Sequence, residues 1–247
     1  MLNNNVRPFI TAHTGSGRAP ANTWASFMEA CALGVDIAEI DIRVTYRQEP
    51  VLMHDHSTLL EQYSADELNR MPLRSRLGAP YMDHELVKLE DVLRIALYRG
   101  MKLNLDIKNG EAVNPTLQLV KALGAEHLTY VTGCTEGILV DTSGISLLLN
   151  APMSMILDDK EDREKIQQFC EQASRAGYCG VNLHVEMVTK AFVDTAHVHD
   201  LFVSVYTVDD LARMQQLIDL GVDSITTMMP ERLLQLKKGG QASCEAQ

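Results

Sequence analysis

No stretch of this 247-residue chain approaches the roughly 20 apolar residues that cross a bilayer. The opening Met1-Leu2-Asn3-Asn4-Asn5-Val6-Arg7-Pro8 has no apolar core and no cleavage-type end, so no secretory signal is read there. The five cysteines (Cys31, Cys134, Cys170, Cys179, Cys244) are scattered and form no Cys-x-x-Cys pair. That argues against a zinc knuckle, a redox pair and a disulfide framework, and favours buried or incidental thiols in a reducing cytoplasm. Positive charge is scarce as well: 22 Lys and Arg against 33 Asp and Glu leave a net charge of −11. Nucleic acid and anionic membrane surfaces both reward basic patches and are disfavoured as primary partners. A small anionic substrate then needs metal ions or a local basic cluster to overcome the global field.

Hydrophobic residues make up 46% and charged residues 22% of the chain, an ordinary soluble composition. Short apolar runs alternate with amphipathic stretches. Phe9 to His13, Asp36 to Ile42, Val51 to His54 and Met101 to Ile107 read as strands. Leu128 to Val131, Ile145 to Leu149, Gly180 to Leu183, Leu201 to Tyr206 and Val222 to Thr226 repeat the pattern more faintly. Between them, Trp24, Phe27, Met28 and Cys31, then Leu89, Val92, Leu93 and Ala96, recur at helical spacing. So do Ile166, Phe169, Cys170 and Ala173, Val188, Ala191, Phe192 and Thr195, and Leu211, Met214 and Ile218. Asn22-Thr23 supplies an N-cap, Gly221 a C-terminal stop and Pro230 a first-turn proline. With no linker-like break, this predicts one α/β domain over 1–247, a single (β/α)8 TIM barrel. A doubly wound sheet is the runner-up. Residues 57–88 are expected to lie over the barrel as an excursion, and 237–247 to form a loose tail.

In an α/β barrel, catalytic side chains come from the C-terminal ends of strands. His13 ends the first candidate strand and His54 the third. Glu39 and Asp41 lie two apart near the end of the second and so share a face, as do Asp106 and Lys108 on the next. Three carboxylates without a cysteine make a hard, oxygen-rich pocket suited to Mg2+ or Ca2+. A divalent cation also relieves their mutual repulsion and stabilises charge developing on a phosphodiester. Two imidazoles suit general acid and base roles near neutral pH. His56, His84, His184, His197 and His199 lack comparable context and read as surface or structural residues.

At these residues the sequence resembles the glycerophosphodiester phosphodiesterase family. Ala12-His13-Thr14-Gly15 with Pro20-Ala21-Asn22-Thr23 is similar to its His-Arg-Gly and Pro-Glu-Asn-Thr elements. Ala38-Glu39-Ile40-Asp41 with Thr45, Val51-Leu52-Met53-His54-Asp55 and Leu103-Asn104-Leu105-Asp106-Ile107-Lys108 resemble its site strands. Val205-Tyr206-Thr207-Val208 and Gly221 to Thr227 are similar to its closing segments. The resemblance implies a TIM barrel acting on small phosphodiester substrates with Mg2+ or Ca2+. His13 and His54 become the acid/base pair, Glu39, Asp41 and Asp106 the metal ligands, and Lys108 a phosphate or site-organising contact. Tyr206 stands where the family has tryptophan and keeps an aromatic wall. In the mechanism proposed for the family, a neighbouring substrate hydroxyl attacks phosphorus and water opens the cyclic phosphate.

Several positions depart from the family. Thr14 replaces the arginine that contacts phosphate, Ala21 a glutamate, Asp106 a longer glutamate ligand and Met228 an aspartate. Arg43, two residues beyond Asp41, is a candidate to supply the missing guanidinium; an outer-rim surface arginine is the plain alternative. Two further functions stay open: a non-catalytic barrel that binds a phosphorylated ligand, and a metal-dependent barrel acting on a related lipid or sugar phosphate.

Overall fold

The computed structural model describes residues 8–135, 137–155 and 162–244. The opening stretch read as free of a secretory signal lies outside them through Arg7. Contacts gather into two compact units, one of Thr14–Ser146 and one of Met1–His13 together with Leu147–Gln247.

The unit Thr14–Ser146 opens with helix α1 (Trp24–Leu33), capped by the Thr23 hydroxyl, which accepts from the Ser26 N–H, and ended by left-handed Gly34. Its buried face is Phe27, Ala30 and Cys31; Trp24, expected on that face, is 39% exposed. Strand β2 (Ile37–Val44) turns through Thr45–Glu49 into β3 (Pro50–Leu52), and the two pair antiparallel with Ile42 opposite Leu52. The third candidate strand is therefore a hairpin return and not a further parallel strand. A parallel crossover takes about a dozen residues or more, and the Thr45–Glu49 turn is too short for one.

The excursion at 57–88 builds a small core of its own. Leu59, Leu60, Leu68, Tyr81 and Leu86 pack with Val51 and Met53, and the short helix α2 (Ala65–Leu68) carries a Ser64/Glu67 capping box. The Tyr81 hydroxyl donates to the Leu52 carbonyl at 3.0 Å. Helix α3 (Leu89–Arg99) buries Leu89, Val92, Leu93 and Ala96, the face its spacing predicts. Each of the three larger side chains contributes about 1.5–3 kcal/mol by burial. Strand β4 (Lys102–Ile107) runs parallel to β2 and sets Asp106 opposite Asp41. Helix α4 (Val113–Leu123), which no spacing had singled out, leads to β5 (Thr129–Gly133), parallel to β4 with Thr132 opposite Asp106.

The second unit repeats one motif. Strands β1 (Phe9–Ala12), β6 (Ser146–Asn150), β7 (Gly180–His184), β8 (Phe202–Tyr206) and β9 (Ser224–Thr227) are joined by α5 (Arg163–Arg175), α6 (Lys190–Val198) and α7 (Leu211–Leu220). All pairs are parallel, in the order β6, β7, β8, β9, β1. Neighbours in space are neighbours in sequence from β6 to β9. A doubly wound sheet instead reverses its strand order at a switch point. Val181, Leu183, Val203, Val205 and Ile225 are wholly buried. Helix α8 (Pro230–Cys244) begins on the expected proline and extends through residue 244 of the stretch expected to be loose.

Candidate active site

Within Thr14–Ser146 the alternation of β2 and β4 brings Glu39, Asp41 and Asp106 together. One oxygen from each lies within 4.8 Å of the others, and Glu39 and Asp41 are buried. Three carboxylates this close demand positive charge. Part of it comes from Lys108, whose Nζ lies 2.7 Å from Asp41 Oδ1 and 2.5 Å from Asp106 Oδ2. Burial works to lower the Lys108 pKa, but the attraction of Asp106 and Asp41 outweighs it, and the ammonium is held above its ordinary range. The all-oxygen donor set fits Mg2+ or Ca2+.

Each carboxylate is also aimed by a neutral donor. The Thr14 N–H donates to Glu39 Oε2 at 3.0 Å, and the Asn22 side-chain amide donates to Asp41 Oδ2 at 2.6 Å. The Thr132 hydroxyl lies 3.3 Å from Asp106 Oδ1. Gly133 (φ +77°) leaves room for this: a Cβ there would overlap Asp106 Oδ1 and the Ile107 carbonyl. The backbone of Asp106 lies directly opposite that of Asp41.

His54 follows the hairpin, where the Met53 N–H donates to the Asp41 carbonyl at 3.0 Å and so fixes the chain beside the second carboxylate strand. Its Nδ1 lies 2.8 Å from Asp55 Oδ1, and the ring is exposed. An ionised carboxylate can only accept, so Nδ1 carries the hydrogen and Nε2 is left for proton exchange. The His54 hydrogen bond holds the Asp55 carboxyl below its ordinary range. Arg43 is half-buried, and its Nε donates to the His54 carbonyl at 2.8 Å. Burial lowers the Arg43 pKa while Asp55 and Asp41 oppose the shift. Its Nε ties down the backbone of His54.

In the other unit, His13 follows β1 and its N–H donates to the Thr227 carbonyl at 3.0 Å. Tyr206 ends β8, opposite His184 at the end of β7, and their rings meet edge to face with centroids 5.9 Å apart. His184, expected to be a surface or structural residue, packs on Tyr206 in this way. Asn22 is expected in a helix cap and in the Pro-Glu-Asn-Thr-like element, and its bond to Asp41 had no signal in spacing.

These features define a class: parallel β/α units carrying a carboxylate triad able to hold a hard cation. The profile of the "Glycerophosphoryl diester phosphodiesterase family" matches residues 13–232. The chain belongs to that family and is a phosphoric diester hydrolase. The glycerophosphodiester phosphodiesterase of Caldanaerobacter subterraneus is 22% identical over 250 residues, covering 95% of this chain and 100% of that protein. The crystal structure of a glycerophosphodiester phosphodiesterase from Parabacteroides distasonis matches with TM-score 0.75 at 21% identity, covering 95% of this chain and 98% of that one. A phosphodiesterase of Oleispira antarctica, solved with its product sn-glycerol-3-phosphate, matches with TM-score 0.73 at 21% identity, over 93% and 96% of the two chains. The shared fold is the (β/α)8 barrel. Among the described residues no helix is long and apolar enough to cross a membrane.

Proposed function

We propose that this chain is a metal-dependent phosphodiesterase that hydrolyses glycerophosphodiesters, or close relatives of them, to a phosphomonoester and an alcohol. The observation that carries the reading is the triad Glu39, Asp41 and Asp106 with Lys108 bridging two of its members. Glu39, Asp41 and Asp106 would hold Mg2+ or Ca2+. When bound, the ion supplies positive charge that draws a phosphodiester oxygen into place and stabilises the charge developing there.

The chain's own groups do the rest. His13 and His54 are the acid/base pair: one imidazole takes the proton of the attacking substrate hydroxyl while the other protonates the leaving alcohol oxygen as the P–O bond breaks, and water then opens the cyclic phosphate to the phosphomonoester. The His54–Asp55 contact supports this for His54, because it presents Nε2 outward. Lys108 contributes cationic charge beside the phosphate position. Arg43, whose Nε is engaged with His54, has its terminal nitrogens to offer the phosphate. Tyr206, packed on His184, forms an aromatic wall for the substrate's organic part. The product bound by the Oleispira phosphodiesterase supports a glycerol phosphate ester as substrate class.

Phosphorus NMR of glycerophosphodiesters incubated with the protein tests the reading. Stripping with EDTA is expected to abolish turnover, and adding Mg2+ or Ca2+ to restore it. Binding by calorimetry without turnover in any metal would favour the non-catalytic alternative, to which the loss of a cation at Thr14 points. A stable cyclic phosphate would mark transfer without hydrolysis.

A further inference from the structure

The loop Thr14–Thr23 between β1 and α1 has no charged group on the triad, yet it closes tightly against it. The Thr14 hydroxyl accepts from the Asn22 N–H at 2.7 Å, which joins the two ends of the loop. The fit beneath that bond is close: a Cβ on Gly15 would lie 2.9 Å from that of Ala21. Asn22 sits at φ 60°, in the left-handed region, and is 3% exposed. Asparagine is among the few residues other than glycine that adopt this conformation readily. From there its side chain makes two bonds to one residue. Nδ2 donates to Asp41 Oδ2 at 2.6 Å, and Oδ1 accepts from the Asp41 N–H at 3.1 Å. Thr14, 6% exposed, donates its own N–H to Glu39 Oε2 at 3.0 Å. One loop therefore fixes one oxygen of each buried carboxylate on β2.

We propose that Thr14 and Asn22 act as a pair of positioning residues. Asn22 locks Asp41, and the Thr14 hydroxyl holds Asn22 in the conformation that lets it do so. The pair thereby sets the affinity of the triad for its cation. This rests on the metal-site reading above. It assigns Thr14 a role different from that of the arginine it replaces: its hydroxyl accepts from the Asn22 N–H and so holds the site's scaffold. Donors that orient metal-ligating carboxylates belong to the ligand shell in energetic terms, and losing one costs ~10–100-fold in metal affinity.

Asn22→Gly is the discriminating variant, since glycine keeps the left-handed backbone and removes only the amide. Calorimetric titration of the metal-stripped protein with Mg2+ and with Ca2+ is expected to show affinity falling ~10–100-fold. The thermal midpoint without metal should fall by less than it does in a core Leu→Ala variant, and KM at saturating metal should stay unchanged. Thr14→Val should weaken the cation in the same sense by a smaller factor, and Thr14→Ser, which keeps the hydroxyl, should restore it. Wild-type affinity in both Asn22→Gly and Thr14→Val overturns the proposal. So does a raised KM at saturating metal with affinity intact. Should Asn22→Gly fail to fold, the Thr14→Val and Thr14→Ser pair decides alone. If the wild-type protein binds neither ion, or Asp41→Asn binds as well as wild type, the metal-site reading itself falls. Those two results are separate from the variant outcomes.

Discussion

The two compact units are built from the same β-strand and helix alternation but differ in what their strand interiors hold. In Thr14–Ser146, β2 and β4 carry three carboxylates and a lysine within bonding distance of one another. Among the described residues of the other unit, the buried polar positions on the strands carry hydroxyls and amides in place of carboxylates. Thr11 bonds Ser224 at 2.8 Å, Asn182 bonds Asn150 at 3.0 Å, and the strand ends present His184 and Tyr206. Hydroxyls and amides are neutral and need no counter-ion, whereas clustered carboxylates need one. The same alternation thus carries a carboxylate cluster in one unit and buried hydroxyls and amides in the other, and the choice lies in a handful of strand side chains.

The largest expected effect breaks that asymmetry at its source. Asp41→Asn or Glu39→Gln should remove both calorimetric metal binding and phosphodiester turnover. His54→Ala should lower kcat/KM by ~100–10,000-fold, the usual range for a lost proton-transfer group. If the two units differ as described, Tyr206→Ala should cost no more than about 10-fold in kcat/KM, the equivalent of one aromatic contact. A larger loss would mean that Tyr206 does more than supply an aromatic contact.

Stability should show the opposite pattern. Leu105 and Leu183, one in each unit, are both wholly buried. Their replacement by alanine should cost about 2–5 kcal/mol in each case, measured by urea denaturation. Similar costs would sharpen the comparison by showing an equal scaffold under unequal chemistry. Tyr81→Phe removes the hydrogen bond to Leu52 that anchors the excursion, and should cost about 1 kcal/mol.

The smallest effect expected is Asp66→Asn. Lys88 Nζ lies 2.7 Å from Asp66, and this hydrogen bond holds the Asp66 carboxyl below its ordinary range. A depressed carboxyl stabilises the folded state above its unfolded pKa, about 3.9, and loses that contribution as pH falls through the lower folded value. The midpoint difference between wild type and variant should therefore be present at neutral pH and vanish on acidification. A difference that persisted at pH 2 would have another origin.

Much of this was legible in the residues. Period-two spacing is enough to place Glu39 with Asp41 and Asp106 with Lys108, because a strand cannot send those pairs to opposite faces. The helix at Leu89–Arg99 followed from its apolar spacing, and Gly221 and Pro230 marked boundaries that the structure keeps. The reversal of β3 was readable too, from the short Thr45–Glu49 connection, but Val51-Leu52-Met53 reads as a strand in either direction. Helix α4 escaped because its buried positions Val113, Thr116, Leu117 and Val120 include a threonine and straddle Pro115.

The roles of Arg43, Asn22 and Gly133 belong to a different category. Arg43 bonds a carbonyl 11 positions away, Asn22 a carboxylate 19 positions away, and Gly133 accommodates Asp106 from the neighbouring strand. The sequence by itself determined the family, the strand and helix alternation and the set of carboxylates and imidazoles, because local spacing dictates which side of a strand each side chain takes. Only the tertiary structure decided that Lys108 bridges two of those carboxylates and that Asn22 aims its side-chain amide at Asp41. Those outcomes depend on how distant segments close on one another, and no local period encodes that distance.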